Sequence, residues 1–265
     1  PRWAMVGVVA TLFVVGCSSS PTFENAATSN TGLEGGTSVS IPVPTGSGES
    51  GDVLIAILGV QGNPNTSGPD GWTAVPGFRG FNGATCQADG QGTACQLAVY
   101  TKLADDSDSS ASFSWGGTRH AAAAIVRFSN VDSAAPIGAA GPARGSSNEP
   151  RAPVITTTRD GSRVLRIVVS ELDDARPQLQ GTLALTDEPP TFRFNVMSFP
   201  DAATDPANGC GPPLAACDAT DRAIALAVSD TLNSVAEPSG PATWELPGGD
   251  QWVTASIEII RAPEQ

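Results

Sequence analysis

A chain that repeats one strand pattern twice, in the same order, has few ways to fold. Here Leu97-Ala98-Val99 matches Leu226-Ala227-Val228, Leu103 falls opposite Leu232, and Trp115 falls opposite Trp244 at the same offset. Val53-Leu54-Ile55 matches Val164-Leu165-Arg166, and Gly71-Trp72-Thr73-Ala74-Val75 matches Gly181-Thr182-Leu183-Ala184-Leu185. Phe78-Arg79 matches Phe192-Arg193, a cysteine pair follows in both copies, and residues 119–128 align with 251–260. The offset lengthens along the chain, as small loop insertions would make it. So long a period points to a two-fold duplication, not a solenoid.

The units of the repeat read as strands. Val253, Ala255, Ile257 and Ile259 fall on one face of an extended segment, with Thr254, Ser256 and Glu258 on the other. Leu97, Val99, Thr101 and Leu103 alternate in the same way with Ala98, Tyr100 and Lys102. Ala121 to Ala124 alone would favour a helix. Its β-branched copy, VTASIEII, decides for a strand. Glycine and proline reach 29 and 22 residues, enough to end each short run in a turn. The expected fold is therefore all-β: an antiparallel, jelly-roll-like β-sandwich over residues 37–262, built from the two repeats. Repeat one covers 37–128, a connector 129–151, and repeat two 152–262. Two tandem immunoglobulin-like sandwiches are the alternative, because 129–151 has a linker's composition.

The N-terminus carries an address. Residues 3–16 hold no charge, too short a run to span a bilayer and the length of a signal h-region. Val14-Val15-Gly16-Cys17 resembles the lipobox of bacterial lipoproteins. The resemblance implies a signal peptide at 1–16, cleavage before Cys17, a lipid on its sulfur and a membrane-tethered chain in the cell envelope. Ser18 resembles the outer-membrane sorting preference of some of these lipoproteins, so the expected location is the outer membrane or cell surface. Residues 18–36, rich in Ser, Thr, Asn and Gly, complete a flexible 17–36 tether.

A formal net charge of −13 repels phosphate backbones, so nucleic acid is not an expected partner. Beyond Cys17, Cys86, Cys95, Cys210 and Cys217 allow three disulfide connectivities. Two local loops, 86–95 and 210–217, are expected in an exported chain. A zinc site would call for C-x₂-C spacing, which is missing.

Candidate chemistry is sparse. His120, the single histidine, aligns with Trp252, as an aromatic-sized cover on a strand would. No G-x-S-x-G, H-E-x-x-H, P-loop or dinucleotide motif occurs. Glu171 with Asp173 and Asp174 is the nearest thing to a glycosidase acid pair, against a plain solvated acidic turn. Asp105, Asp106 and Asp108 raise calcium, against another solvated turn. Trp72 aligns with Thr182, so the fold does not demand an indole there. With Asp70 on the preceding turn it is the candidate ligand contact. No catalytic residue, metal ligand or cofactor is assigned.

The segments SIPVPTGSGESGDVLIAILGV, GWTAV, LAVYTKL, FSW and AAAAIVRFSNVDSAAPI resemble a β-sandwich module common in secreted bacterial proteins, which implies fold but transfers no active site. The expected function is a lipid-anchored envelope module for binding or adhesion, to a glycan or another surface ligand such as a protein. A carboxylate-dependent glycoside hydrolase and a purely structural component are the alternatives. The oligomeric state is left open.

Overall fold

Residues 53–60, VLIAILGV, form a strand in which every residue is buried. Such unbroken burial means that both faces of the strand are covered. The same holds for Ala121 to Val126 and, in the second repeat, for Trp252 to Ile259. Sheets covered on two sides imply more than two layers. The computed structural model describes residues 19–32, 34–46, 51–78, 84–86, 95–105, 107–172, 191–198, 223–246 and 251–264.

The strands of the first half are β1 (Thr22–Asn30), β2 (Gly36–Pro42), β3 (Val53–Gln61), β4 (Thr73–Ala74), β5 (Ala84–Thr85), β6 (Cys95–Leu103), β7 (Ser110–Arg119) and β8 (Ala121–Ser129). The second half has β9 (Ile137–Ser146), β10 (Arg151–Ala152), β11 (Ser162–Leu172), β12 (Thr191–Met197), β13 (Ala223–Asn233), β14 (Ala242–Thr243) and β15 (Gln251–Ile259). In the first half a large sheet runs β1-β8-β3-β6-β4, with β5 also on β6, and a small sheet pairs β2 with β7. Ser67 bridges to Ser114 on that small sheet. The chain thus crosses between the two sheets again and again, which is a jelly-roll-like wrap. The second half repeats it: β9-β15-β11-β13-β12 form the large sheet and β10-β14 the small one.

The protein is an all-β antiparallel sandwich of two repeats, as the duplication leads one to expect. Each repeat closes its own wrap, and the two large sheets then pack face to face. Ile55, Ile57, Leu97, Leu165, Ile167, Leu226 and Ile257 meet in one shared core. The small sheets cover the outer faces, giving four layers. Contacts across the seam are reciprocal: β8 meets β13 as β15 meets β6, and β1 meets β12 as β9 meets β5. This is the isologous arrangement of a two-fold dimer, made within one chain.

Hydrogen-bond register defines the equivalent residues. Val53 lies opposite Leu103 and Phe128, and Arg163 opposite Leu232 and Ile259. Val53 therefore corresponds to Arg163, and Phe128 to Ile259, so the sequence alignment slips by one residue in both strands. Phe78 O accepts from Val99 N–H at 3.1 Å, while Phe194 sits opposite Val228. Phe194, not the exposed Phe192, is thus the counterpart of Phe78. Trp115 and Trp244 hold their match: Ser114 pairs with Ser38, Thr243 pairs with Arg151, and each indole follows directly. Both rings are buried under a small sheet.

Two segments differ from expectation. The tether ends well before residue 36, because Thr22–Asn30 is a strand paired along β8. The connector contains β9, a ten-residue strand paired with β15 in the place that β1 holds on β8. Both are edge strands rich in Ala, Gly, Ser and Asn, a composition that reads as a loop until a neighbour supplies the pairing.

Candidate functional site

Glu171 ends β11 in a buried position, and its carboxylate accepts from the Gln61 amide at 3.1 Å. Gln61 and Glu171 are equivalent residues, so the two repeats touch across their own symmetry axis here. Gly59 faces its counterpart Val169 at the same axis, where a Cβ would come within 2.8 Å of a valine methyl. Asp173 and Asp174 lie outside the described residues.

His120 is half-buried at the β7–β8 corner, and its carbonyl accepts from Gln61 N–H at 2.9 Å. By register its counterpart is Gln251, and Trp252 corresponds to Ala121. The indole match assumed from sequence falls with the one-residue slip.

The candidate ligand contact at Trp72 is partly built in. Trp72 N–H reaches Pro69 O at 3.3 Å, and its ring packs half-buried against the apolar layer under β2 and β7. Asp70 is exposed on the same turn, where Gly71 takes a φ of 78°. The acidic turn near residue 105 is occupied by its own neighbours. Lys102 forms an ion pair with Asp108, and Asp105 accepts from Ser107 N–H at 2.7 Å. Asp106 is outside the described residues. Among the described residues no three His, Cys, Asp or Glu side chains form a group able to hold a metal ion.

Cys86 and Cys95 are joined by a disulfide inside the shared core. Register places Ser198 and Ile224 at the equivalent points, since Cys86 N–H bonds Cys95 O as Ser198 N–H bonds Ile224 O. Cys210 and Cys217, which lie outside the described residues, are therefore not the positional copy of this bridge. Residues 1–18, with Cys17, are outside them as well.

The seam itself supplies a site that sequence reasoning did not anticipate. Where β5 faces β9, a cleft of about 310 Å³ opens between the repeats. Gly77, Ala84 and Thr85 border it from one side, and Pro142, Ala143 and Arg144 from the other. Arg144 is exposed and has no ion pair among the described residues. At the pseudo-equivalent edge, Arg193 lies 4.3 Å over the Phe23 ring, which meets Phe128 edge-on. Small side chains and an exposed arginine stand at one edge, aromatic packing at the other. No motif marks the cleft, because its walls come from edges that only the packing of the repeats brings together.

A second departure concerns the outer face of the second large sheet. Thr254, Ser256 and Glu258 are all fully buried there, and so is Arg166, at 1% exposure. Burial pushes the Arg166 guanidinium down to about 10, the sign of a cation without a compensating carboxylate.

Comparison with known proteins adds little. No protein-family model matches, and no curated protein matches. Among solved structures, the crystal structure of the STIV MCP aligns with 91% of this chain and 98% of its own at 10% identity, with a TM-score of 0.20. A superposition that loose carries no argument about fold or function.

Proposed function

We propose that this chain is a lipid-anchored, non-catalytic binding protein of a bacterial cell envelope. On this reading it takes an anionic group of a glycan or another surface ligand into the seam cleft. The cleft with Arg144 carries the proposal. Its volume of about 310 Å³ reaches the lower end of the range of small-molecule sites, which favour boundaries between structural units. On a chain of net charge −13, an arginine at the cleft with no ion pair among the described residues gives a negative group a local partner that the surrounding surface does not. The hydrolase alternative has less support. Paired-carboxylate chemistry needs a second acid, and the contact described for the Glu171 carboxylate is the Gln61 amide.

The anchor would sit close to the body. Cys17 precedes β1 by five residues, a reach of about 17 Å when extended. A lipid on that cysteine would hold the sandwich against the membrane, not on a long stalk.

Calorimetric titration with neutral, uronic-acid-bearing and phosphate-bearing oligosaccharides tests the function. Acidic sugars are expected to bind, and Arg144→Glu to weaken them at least tenfold, while Arg151→Ala, on a surface ion pair, changes little. Equal affinity in the Arg144 variant, or no preference for acidic over neutral sugars, rejects the reading. Mass analysis of the envelope form should find diacylglycerol on Cys17.

A further inference from the structure

The duplication is an internal control: whatever the scaffold needs, both copies should supply. On the outer face of the first large sheet, Ala56 lies between Tyr100 and Ile125. The equivalent rung of the second sheet is Arg166 between Ser229 and Ser256. An apolar rung in one copy is a charged and hydroxylated rung in the other, at equal depth. The fold evidently does not require an arginine there.

Nor does the arginine find a counter-ion among the described residues. Its Nη1 donates to Thr231 Oγ1 at 2.9 Å and its Nη2 to the carbonyl of Gly240. Its Nε–H has no partner. Beside it Ser229 Oγ is buried without a partner, whereas Ser256 donates to Pro153 O at 2.6 Å. One rung along, the pair Val168 and Ala227 carries the ring of Trp244. Trp244 Nε1 is buried and unpartnered too, although the equivalent Trp115 Nε1 donates to Gly36 O at 2.9 Å. Two donors on one buried rung, one of them carrying a full positive charge, and an indole N–H packed over the next rung thus lack an acceptor among the described residues. Buried donors and charges left in this state are costly, and a negatively charged acceptor offsets that cost.

We infer that the interior of the second repeat binds a monovalent anion of halide size, held by Arg166 Nε, Ser229 Oγ and Trp244 Nε1. Its single charge balances the single guanidinium, and the N–H and O–H groups replace its hydration. Repeat one, with Ala56 and Tyr100 at the equivalent points, has no such site. The inference stands apart from the seam cleft, which lies at the other face of the second large sheet.

Bromide is the probe. Crystals of the full chain grown in bromide should show an anomalous peak between these three groups. The melting temperature should rise in chloride or bromide over gluconate at equal ionic strength, by roughly 3–6 °C at ten times the dissociation constant. Arg166→Met is expected to abolish that difference. Ser229→Ala and Trp244→Phe, milder changes that serve if the arginine variant fails to fold, should weaken halide binding several-fold. Equal melting in halide and gluconate, or a water refined at that point with no anomalous signal, overturns the proposal.

Discussion

Glu258 shows what one buried residue does for the second repeat. Its carboxylate is fully buried and accepts from Ala139 N–H at 2.9 Å, Thr158 N–H at 2.7 Å and Arg159 N–H at 3.2 Å, with the Thr158 hydroxyl at 3.0 Å. It thereby ties the start of β9 to the segment before β11. Burial pushes its carboxyl up, but the hydrogen-bond donors of Ala139, Ser162 and Thr158 together outweigh burial and hold it below the usual 4.5. A depressed folded value stabilises the fold above the unfolded value and loses that contribution as pH falls through the folded one. Glu258→Gln should cost about 2–3 kcal/mol at pH 7. The gap from wild type, read from urea melts, should shrink once the pH drops below the ordinary 4.5. A gap constant from pH 7 to pH 3 would show that the charge is not what matters. Periodicity found both faces of this strand, but it could not tell that the Thr254, Ser256 and Glu258 face is roofed. Alternation reports which residues share a face and says nothing of what lies above it.

At the scale of elements, β1 is the clearest case of context overriding composition. TFENAATSN has little strand propensity, and its composition alone predicts a tether. Beside its ladder on β8, two arginines that share one acid hold it in place. Arg193 stacks over Phe23, Arg163 Nε donates to Pro21 O at 2.8 Å, and the fully buried Asp230 binds both arginines. None of those partners is near in sequence. Removing the shared acid leaves two part-buried cations uncompensated, so Asp230→Ala should destabilise by about 3–5 kcal/mol. It should also speed amide exchange in β1 ahead of β3. Uniform exchange rates in the two strands would mean that the arginines do not clip β1. The cysteine pair carries a related lesson. The Cys86–Cys95 bridge belongs to one of three connectivities that the sequence leaves open, whereas the counterpart of that bridge, Ser198 and Ile224, shows only in the register.

For the whole molecule, the shared core makes the repeats interdependent. Ile55, Leu97 and Val126 of the first repeat are buried against Leu165, Leu226 and Ile257 of the second. Neither copy can expose that face to water without losing much of its apolar burial. Calorimetry of the full chain should therefore show one unfolding transition, with van't Hoff and calorimetric enthalpies equal. Two resolved transitions would mean that the seam contributes little. The strand rhythm, the two-fold repetition and the equivalence of Trp115 and Trp244 were all determined by the sequence alone. They follow from side-chain alternation and turn chemistry, which act over a few residues. Tertiary structure alone decided that each copy closes its own wrap, that β1 and β9 are strands, and that a cleft opens beside Arg144. It alone buried Arg166 with no counter-ion among the described residues. Those features depend on which surfaces meet across the seam and under the small sheets, and no local pattern of residues encodes a distant neighbour.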